Sequence, residues 1–353
     1  MMKNKQLDET LPKLKEVAAE ANVSPTTASM VFTGKGRISE KTSTTVRETA
    51  ERMGYVHPVR KPSRKSKNGR VALLMLIDKE WTFIWYFLNE MIARIELDLQ
   101  KIGLNTVIIP VSHNEKDKDI YHKIINLECQ AVFSIHFGKD SLFSRLENAD
   151  IPVILILNNN YQDKYFSICV DDFQGAYEGT RHLLNLGHTK IGFVDTSRED
   201  LPILSTDRYY GYRKALEEEG IGLQADYLIS CPTGLSSESP DSSFQTLMES
   251  SSPPTALFCL DDEIALQSWS SLTRIGYTIP GDISILAPGD VLDYNKPYIP
   301  KITTMHIDMK YVGRLAVDML NNRLSNSINT VHVLKVKQQL ISRGSCRKFS
   351  SET

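Results

Sequence analysis

The 353 residues contain no apolar run approaching the ~20 needed to span a bilayer as a helix. The polar first residues also lack the apolar core of a secretory leader. A soluble cytoplasmic protein with no membrane partner is therefore expected. Cysteine is scarce: Cys129, Cys169, Cys231, Cys259 and Cys346 are scattered, with no Cys-x-x-Cys pair. Most lie in or beside apolar stretches, so buried reduced thiols are expected, and neither a disulfide framework nor a zinc site is. No Gly-x-Gly-x-x-Gly follows the first predicted strand, and the Gly-x-x-x-x-Gly-Lys-Ser/Thr loop is missing throughout. The Gly-x-Ser-x-Gly elbow and the His-Glu-x-x-His metal pair are missing as well. The eight histidines are dispersed; His182 and His188 flank a helix end, where a structural role is expected ahead of metal binding. These absences leave no enzyme signature, no cofactor and no metal site to expect.

What the chain does have is an uneven charge. Through Arg70 there are 15 basic against 7 acidic residues, leaving 26 basic against 36 acidic beyond it, within a net charge of -2. A basic head on an acidic body indicates that the head alone meets a polyanion.

The head carries the matching pattern. Leu14, Val17, Ala18 and Ala21 recur at i, i+3, i+4 and i+7 and line one face of a short helix. Asn22-Val23 makes a brief connection in which asparagine tolerates left-handed backbone. Ser24 is placed to cap a second helix that begins at Pro25, where no needed donor is lost. Ala28, Val31 and Phe32 give that helix an apolar face, while Thr26, Thr27, Ser29 and Met30 point elsewhere. Two short helices so joined predict a helix-turn-helix whose second helix enters a DNA major groove; a buried helical hairpin is the plainer alternative. Ser39 is positioned to cap a third helix with Val46, Ala50 and Met53 inward and Gly54 at its end. The headpiece is thus expected over residues 1–56. A basic, proline-containing linker follows over 57–70, solvated and suited to DNA backbone contact.

Beyond Arg70, apolar runs alternate with helical spacing. Val71–Ile77 suits a strand buried on both faces, and the alternation continues to Val153–Leu157 and again from Ile168–Val170 to Ile283–Leu286. Two successive strand–helix series predict two doubly wound α/β lobes with parallel sheets. The first lobe is expected over about 71–160 plus a return segment at about 303–323. The second is expected over about 161–300 plus the C-terminal strand, the body ending near 345. Ligands in such lobes sit beyond the carboxyl ends of the strands, here in the cleft between lobes. Asp171-Asp172 and Asp261-Asp262 each follow a strand; each pair is open to acid/base work, to helix capping or to binding sugar hydroxyls.

Motifs in a common order connect these parts. Leu14-Lys15-Glu16-Val17-Ala18 with Ala21-Asn22-Val23-Ser24, then Ile38-Ser39-Glu40-Lys41-Thr42 with Met53-Gly54-Tyr55, stand in the headpiece. His182-Leu183, Leu186-Gly187-His188-Thr189-Lys190-Ile191, Arg208-Tyr209-Tyr210-Gly211-Tyr212 and Ile279-Pro280-Gly281-Asp282-Ile283-Ser284 follow in the body. From about Lys13 to Ser345 the chain resembles the LacI/GalR family of bacterial transcriptional regulators. The resemblance implies a homodimer reading double-stranded operator DNA, and a periplasmic-binding-protein-like body holding a small effector, commonly a sugar or nucleotide. By position it places Ser24, Thr27 and Ser29 on phosphate and Pro25, Thr26 and Met30 on base edges. None of the last three can fork onto guanine, so apolar contact with thymine methyls plus Thr26 is the expected readout.

The chain also departs from the family. Where the family's linker wedges a leucine into the minor groove, Arg64 stands, and Pro62 lies within the would-be hinge helix. An absent or truncated hinge helix is expected, with Arg64 in the minor groove or on phosphate. For the effector, the resemblance implies Arg208 as the central binding arginine, a fork suited to paired hydroxyls or a carboxylate. Asn158 stands where many members carry Asp, and Asp261 where many carry Asn. The family's Gly-aromatic-Asp-Asp is Ala287-Pro288-Gly289-Asp290 here. The aromatic often found after Ile229 is not evident; Trp85, with Trp81, Tyr86 and Phe87, offers a substitute surface. The expected function is a repressor of carbohydrate-linked genes under effector control. The alternatives are a regulator controlled by a protein partner and a periplasmic-type solute-binding protein.

Overall fold

The computed structural model describes residues 12–33, 38–53, 55, 69–77, 84–196, 202–231, 240–290, 292–325 and 330–349, the side chains of 33, 84–87 and 202–205 apart. The chain divides into two compact units, Met1–Lys61 and Pro62–Thr353, so the division falls inside the expected linker.

The first unit has three helices, α1 (Leu14–Glu20), α2 (Pro25–Thr33) and α3 (Glu40–Met53). The backbone N–H of Lys13 donates to Glu16 Oε2 at 2.8 Å, closing the start of α1. Asn22 takes φ +54°, and Val23 N–H returns to Ala18 O at 2.9 Å, which ends α1 and turns the chain. Ser24 Oγ accepts from Thr27 N–H at 3.0 Å and shares a 2.8 Å bond with the Thr27 hydroxyl. Ser39 repeats this on α3 with Thr42, at 3.2 and 2.8 Å. Ala18, Ala21, Ala28, Val31 and Val46 form the core, with Leu14, Val23, Phe32 and Ile38 around it. Three alanines let the helices approach closely, which suits a unit too small for a larger core.

The second unit contains two six-stranded sheets. The chain runs β1 (Gly69–Leu76), α4 (Ile84–Lys101), β2 (Leu104–Val111), α5 (Asp117–Asn126), β3 (Cys129–Ile135), α6 (Asp140–Asn148), β4 (Val153–Ile156) and β5 (Phe166–Val170). It continues through α7 (Asp172–Asn185), β6 (Ile191–Thr196), α8 (Pro202–Glu218), β7 (Leu228–Cys231), α9 (Asp241–Met248), β8 (Ala256–Cys259), α10 (Asp262–Arg274) and β9 (Ser284–Gly289). β10 (Thr303–His306), α11 (Met309–Ser325), β11 (Val333–Val336) and β12 (Gln339–Ile341) complete it. The sheet orders are β11-β5-β4-β3-β1-β2 and β12-β10-β9-β8-β6-β7, parallel except where β12 runs antiparallel to β10. Continuous apolar runs such as Val153–Ile156 make the central strands because helices cover both faces, so no polar alternation is needed.

The division between lobes differs from the sequence expectation at two places. β5 belongs to the first sheet, with Ile154 opposite Phe166 and Ile156 opposite Ile168, so the first lobe does not end at 160. β10 belongs to the second sheet, with Thr303 opposite Leu286, so the return to the first lobe begins only at α11 and continues into β11. Apolar patterning gives the order of strands but carries no record of which sheet each one joins. The final β11 and β12 join different sheets, which makes three chain crossings, at Asp171, at Ile307-Asp308 and at Lys337-Gln338.

The third crossing is keyed to α7. Gln338 is buried, its N–H donates to Gln174 Oε1 at 3.0 Å, and its Nε2 reaches Asp171 O at 3.4 Å. A Cβ on Gly175 would lie under 3.0 Å from the Gln338 amide, so the end of that side chain would have to shift. Gly175→Ala is expected to displace the Gln338 amide, at a cost in stability that the gain in helix propensity partly offsets. Adding Gln338→Ala should recover part of it in a double-mutant cycle by urea unfolding, whereas strictly additive losses would show that the two do not meet.

Candidate DNA interface and ligand site

On α2 the burial pattern separates two faces. Ala28 and Val31 are buried in the headpiece core, while Pro25 and Thr26 are exposed and Met30 is 40% exposed. Ser29 and Thr27 lie between, and Ser24 is exposed while its hydroxyl caps the helix. The outward face of Pro25–Thr33 is made of hydroxyls, a proline ring and a thioether, with no charged side chain. Such a surface can fit thymine methyls and accept or donate single hydrogen bonds, but it offers no guanidinium fork. Arg64 and Pro62 lie outside the described residues.

In the body, the chemistry gathers at the carboxyl ends of the strands, where open α/β sheets bind ligands. The two Asp-Asp pairs use their members in the same way. Asp171 caps α7 by accepting from Gln174 N–H at 3.2 Å, and Asp261 caps α10 by accepting from Ile264 N–H at 2.8 Å. The second member of each pair turns inward and is buried.

Asp172 meets Arg208, which is 5% exposed. Arg208 Nε donates to Asp172 Oδ1 at 2.9 Å, Nη2 lies 2.8 Å from the same oxygen, and Nη1 donates to the Leu260 carbonyl. One guanidinium therefore ties the start of α7 to the end of β8. Burial pushes the Asp172 carboxyl upward while the Arg208 charge opposes this. An arginine that never deprotonates, held at this distance, favours the charged form of Asp172.

Asp262 has no cation beside it among the described residues. It is 0% exposed, and its Oδ2 accepts from Asp290 N–H at 3.1 Å, Leu292 N–H at 3.2 Å and the Tyr294 hydroxyl at 3.1 Å. Its Oδ1 is buried with no hydrogen-bond partner among the described residues. Burial, with the charges of Asp261 and Asp290, pushes its pKa up to about 7 against the bonds from Leu292 and Tyr294. This explains the departure at 289: Gly289 has φ +143°, and a Cβ there would lie under 3.0 Å from Asp262 Oδ1.

The remaining expected ligand residues are engaged with the protein itself. Asp290 Oδ1 accepts from Thr304 Oγ1 at 2.5 Å and from Arg343 at 2.9 Å, while Oδ2 accepts from His306 Nδ1 at 2.6 Å. Despite burial, the bonds from His306 and Thr304 and the Arg343 charge lower the Asp290 pKa, and the Asp290 bond raises that of His306. Arg343 also stacks 4.1 Å above the Tyr294 ring. Asn158 is buried, donates from Nδ2 to Phe137 O at 3.0 Å and accepts Asn160 N–H at 2.9 Å, so it fastens its own loop. The side chain of Trp85, with those of Trp81, Tyr86 and Phe87, lies outside the described ones, as does the loop after β7. The structure thus brings Arg208, Asp261 and Asp290 to strand or helix ends of one lobe. Arg343, His306, Thr304 and Tyr294 had no signal in the sequence, because they are distant in the chain and sit in no motif.

His188 is structural, as expected: its ring nitrogens bond Thr255 Oγ1 at 2.9 Å and Arg347 O at 3.0 Å. The described residues hold no cluster of metal-ligating side chains, and all five cysteines are free thiols.

The family model for bacterial regulatory proteins of the lacI family matches residues 13–58, and that for a periplasmic binding protein-like domain matches 180–346. The HTH-type transcriptional repressor PurR of Aliivibrio salmonicida is 28% identical over 343 residues, covering 95% of this chain and 99% of that protein. The HTH-type transcriptional repressor CytR of Escherichia coli K12 is 26% identical, covering 96% and 97%. Among solved structures, a transcriptional regulator CelR–cellobiose complex superposes with TM-score 0.67 at 20% identity, covering 95% and 99%. The lac repressor dimer bound to operator and the anti-inducer ONPF gives 0.65 at 20%, covering 96% and 100%.

Two outcomes follow from the buried carboxylates. Because the folded pKa of Asp262 is raised, its contribution to stability is present below about pH 4 and is lost as pH rises toward 7. Asp262→Asn should therefore gain on the wild type as pH goes from 4.5 to 8 in urea titrations; parallel profiles would contradict the assignment. Arg208→Met should cost about 3–5 kcal/mol by leaving Asp172 buried and unpaired, and adding Asp172→Leu should return much of that. A double variant no more stable than the single would show that the pair is not the cause.

Proposed function

Because the chain belongs to the LacI family of bacterial regulatory proteins, we propose that it is a homodimeric repressor whose operator affinity is set by a small ligand in the body. The observation that carries this is the pairing, on one chain, of a helix with an outward hydroxyl and thioether face and a two-lobed body with polar strand ends. The relatives with full-length similarity are named as repressors, which supports the negative sign of control. Related folds were solved with cellobiose and with ribose, which favours a carbohydrate-type ligand. No helix among the described residues is long and apolar enough to cross a membrane, and action on bacterial DNA requires the cytoplasm.

Dimerisation is supported by apolar side chains left in solvent on the first lobe. Leu97 on α4 is 58% exposed, Ile108 on the edge strand β2 is 48% exposed, and Ile102 between them is 39% exposed. An unpaired sheet edge carrying exposed apolar groups is what a partner subunit would cover. Two headpieces joined in this way gain avidity that neither has alone. The ligand acts by linkage: it favours one lobe arrangement and thereby changes the joint affinity of the headpieces.

Selection of genomic fragments by the purified protein should recover a roughly palindromic site. Binding to it should weaken with salt at a slope near -0.9 per phosphate neutralised. Thr26→Ala and Met30→Ala should each reduce the discrimination between that site and random DNA, by less than a bidentate contact would supply. Ser29→Ala should weaken both alike. Enrichment of no site, or full discrimination retained by the Thr26 and Met30 variants, would overturn the reading.

A further inference from the structure

We infer that the ligand of the body carries no carboxylate or phosphate, and that Asp172 is the residue that imposes this by consuming the charge of Arg208. The inference rests on the proposed ligand site and narrows its chemistry. An arginine beside a binding site ordinarily offers a cation to an anionic group. Here the fork is closed from within, with Nε and Nη2 on Asp172 and Nη1 on the Leu260 carbonyl. Only 5% of Arg208 remains exposed. Asp171 and Asp207 also lie close enough for their charges to act on Asp172. An anion approaching Arg208 finds its donors already taken by Asp172 and the Leu260 carbonyl.

A second observation, at the neighbouring strand end, agrees. Asp262 is fully buried with Oδ1 unpartnered among the described residues and no cation in contact, while Asp261 and Asp290 stand beside it. Arg343 and His306, which reach this end, are both bonded to Asp290. Among the described residues, Arg208, Arg343 and His306 are thus each bonded to a carboxylate of the chain. A neutral polyhydroxy compound can use carbonyls and carboxylates as acceptors without adding charge, whereas a sugar acid or sugar phosphate would have to displace Asp172 from Arg208.

The test uses the full chain. Matched pairs are compared by calorimetry: hexoses against their 6-phosphates and uronic acids, and nucleosides against their 5′-monophosphates. The neutral member of whichever pair binds should be at least tenfold tighter. Inorganic sulfate against chloride at equal ionic strength provides a ligand-independent arm, read as the shift in melting temperature. Wild type and Arg208→Gln should shift equally, because any sulfate taken up sits on the basic headpiece. Asp172→Asn should shift more, because it frees the Arg208 charge while keeping an acceptor for it. A tighter anionic member, or a wild-type sulfate shift that Arg208→Gln abolishes, overturns the inference. Failure of every compound to bind would instead count against the ligand-controlled reading of the body, and the sulfate arm would still decide the charge of the site. Should the Asp172 or Arg208 variant fail to fold, the matched-pair calorimetry on the wild type carries the decision.

Discussion

Each sheet of the body ends where a helix begins, and the first turn of every helix leaves backbone N–H groups without partners. Acidic residues are the cheapest neighbours for such a turn, and this chain places them in pairs. Asp171 and Asp261 answer the free N–H groups directly. Asp172 and Asp262 are carried inward by the same helical step, so a buried carboxylate appears at each of two strand ends. What the second lobe then becomes depends on how those two charges are met.

They are met differently. Asp172 receives Arg208, and with the Leu260 carbonyl on the same guanidinium, α7, α8 and β8 are fixed relative to one another. Among the described residues Asp262 receives only N–H and O–H groups, from Asp290, Leu292 and Tyr294, which it holds as a local anchor at the cost of a raised pKa. The requirement for glycine at 289 follows from that anchor, and with it the shape of the turn that delivers Asp290 to Thr304, His306 and Arg343. The expected ligand contacts of Arg208 and Asp290 are thus residues whose first partners are other parts of the protein. Ligand binding at this end must either use their remaining valences or exchange partners.

Much of the architecture was legible in the sequence. The spacing of Leu14, Val17, Ala18 and Ala21, the turn at Asn22 and the cap at Ser24 specify the helix pair, because capping and periodicity are local. Runs such as Val153–Ile156 announced buried parallel strands for the same reason. Sheet membership was not legible: nothing in Phe166–Val170 distinguishes the last strand of one lobe from the first of the next, since both would be fully buried. The site was half legible. The Asp-Asp pairs and Arg208 stood out by position, but the choice between capping and ion pairing is made by what lies across the sheet, and Arg343 and His306 reach Asp290 from distant parts of the chain. Asn158 looked like a ligand residue and instead closes its own loop, a use that depends on Phe137 and Asn160 being where the fold puts them.

The central claim is that one chain couples a ligand in the body to DNA at the headpiece. It is tested most directly by measuring that coupling in both directions. Operator affinity would be determined with and without the neutral sugar or nucleoside that binds most tightly, and the affinity for that compound with and without operator. The account predicts the same factor in both measurements, because linkage is reciprocal. Tight binding of the compound with operator affinity unchanged would contradict it.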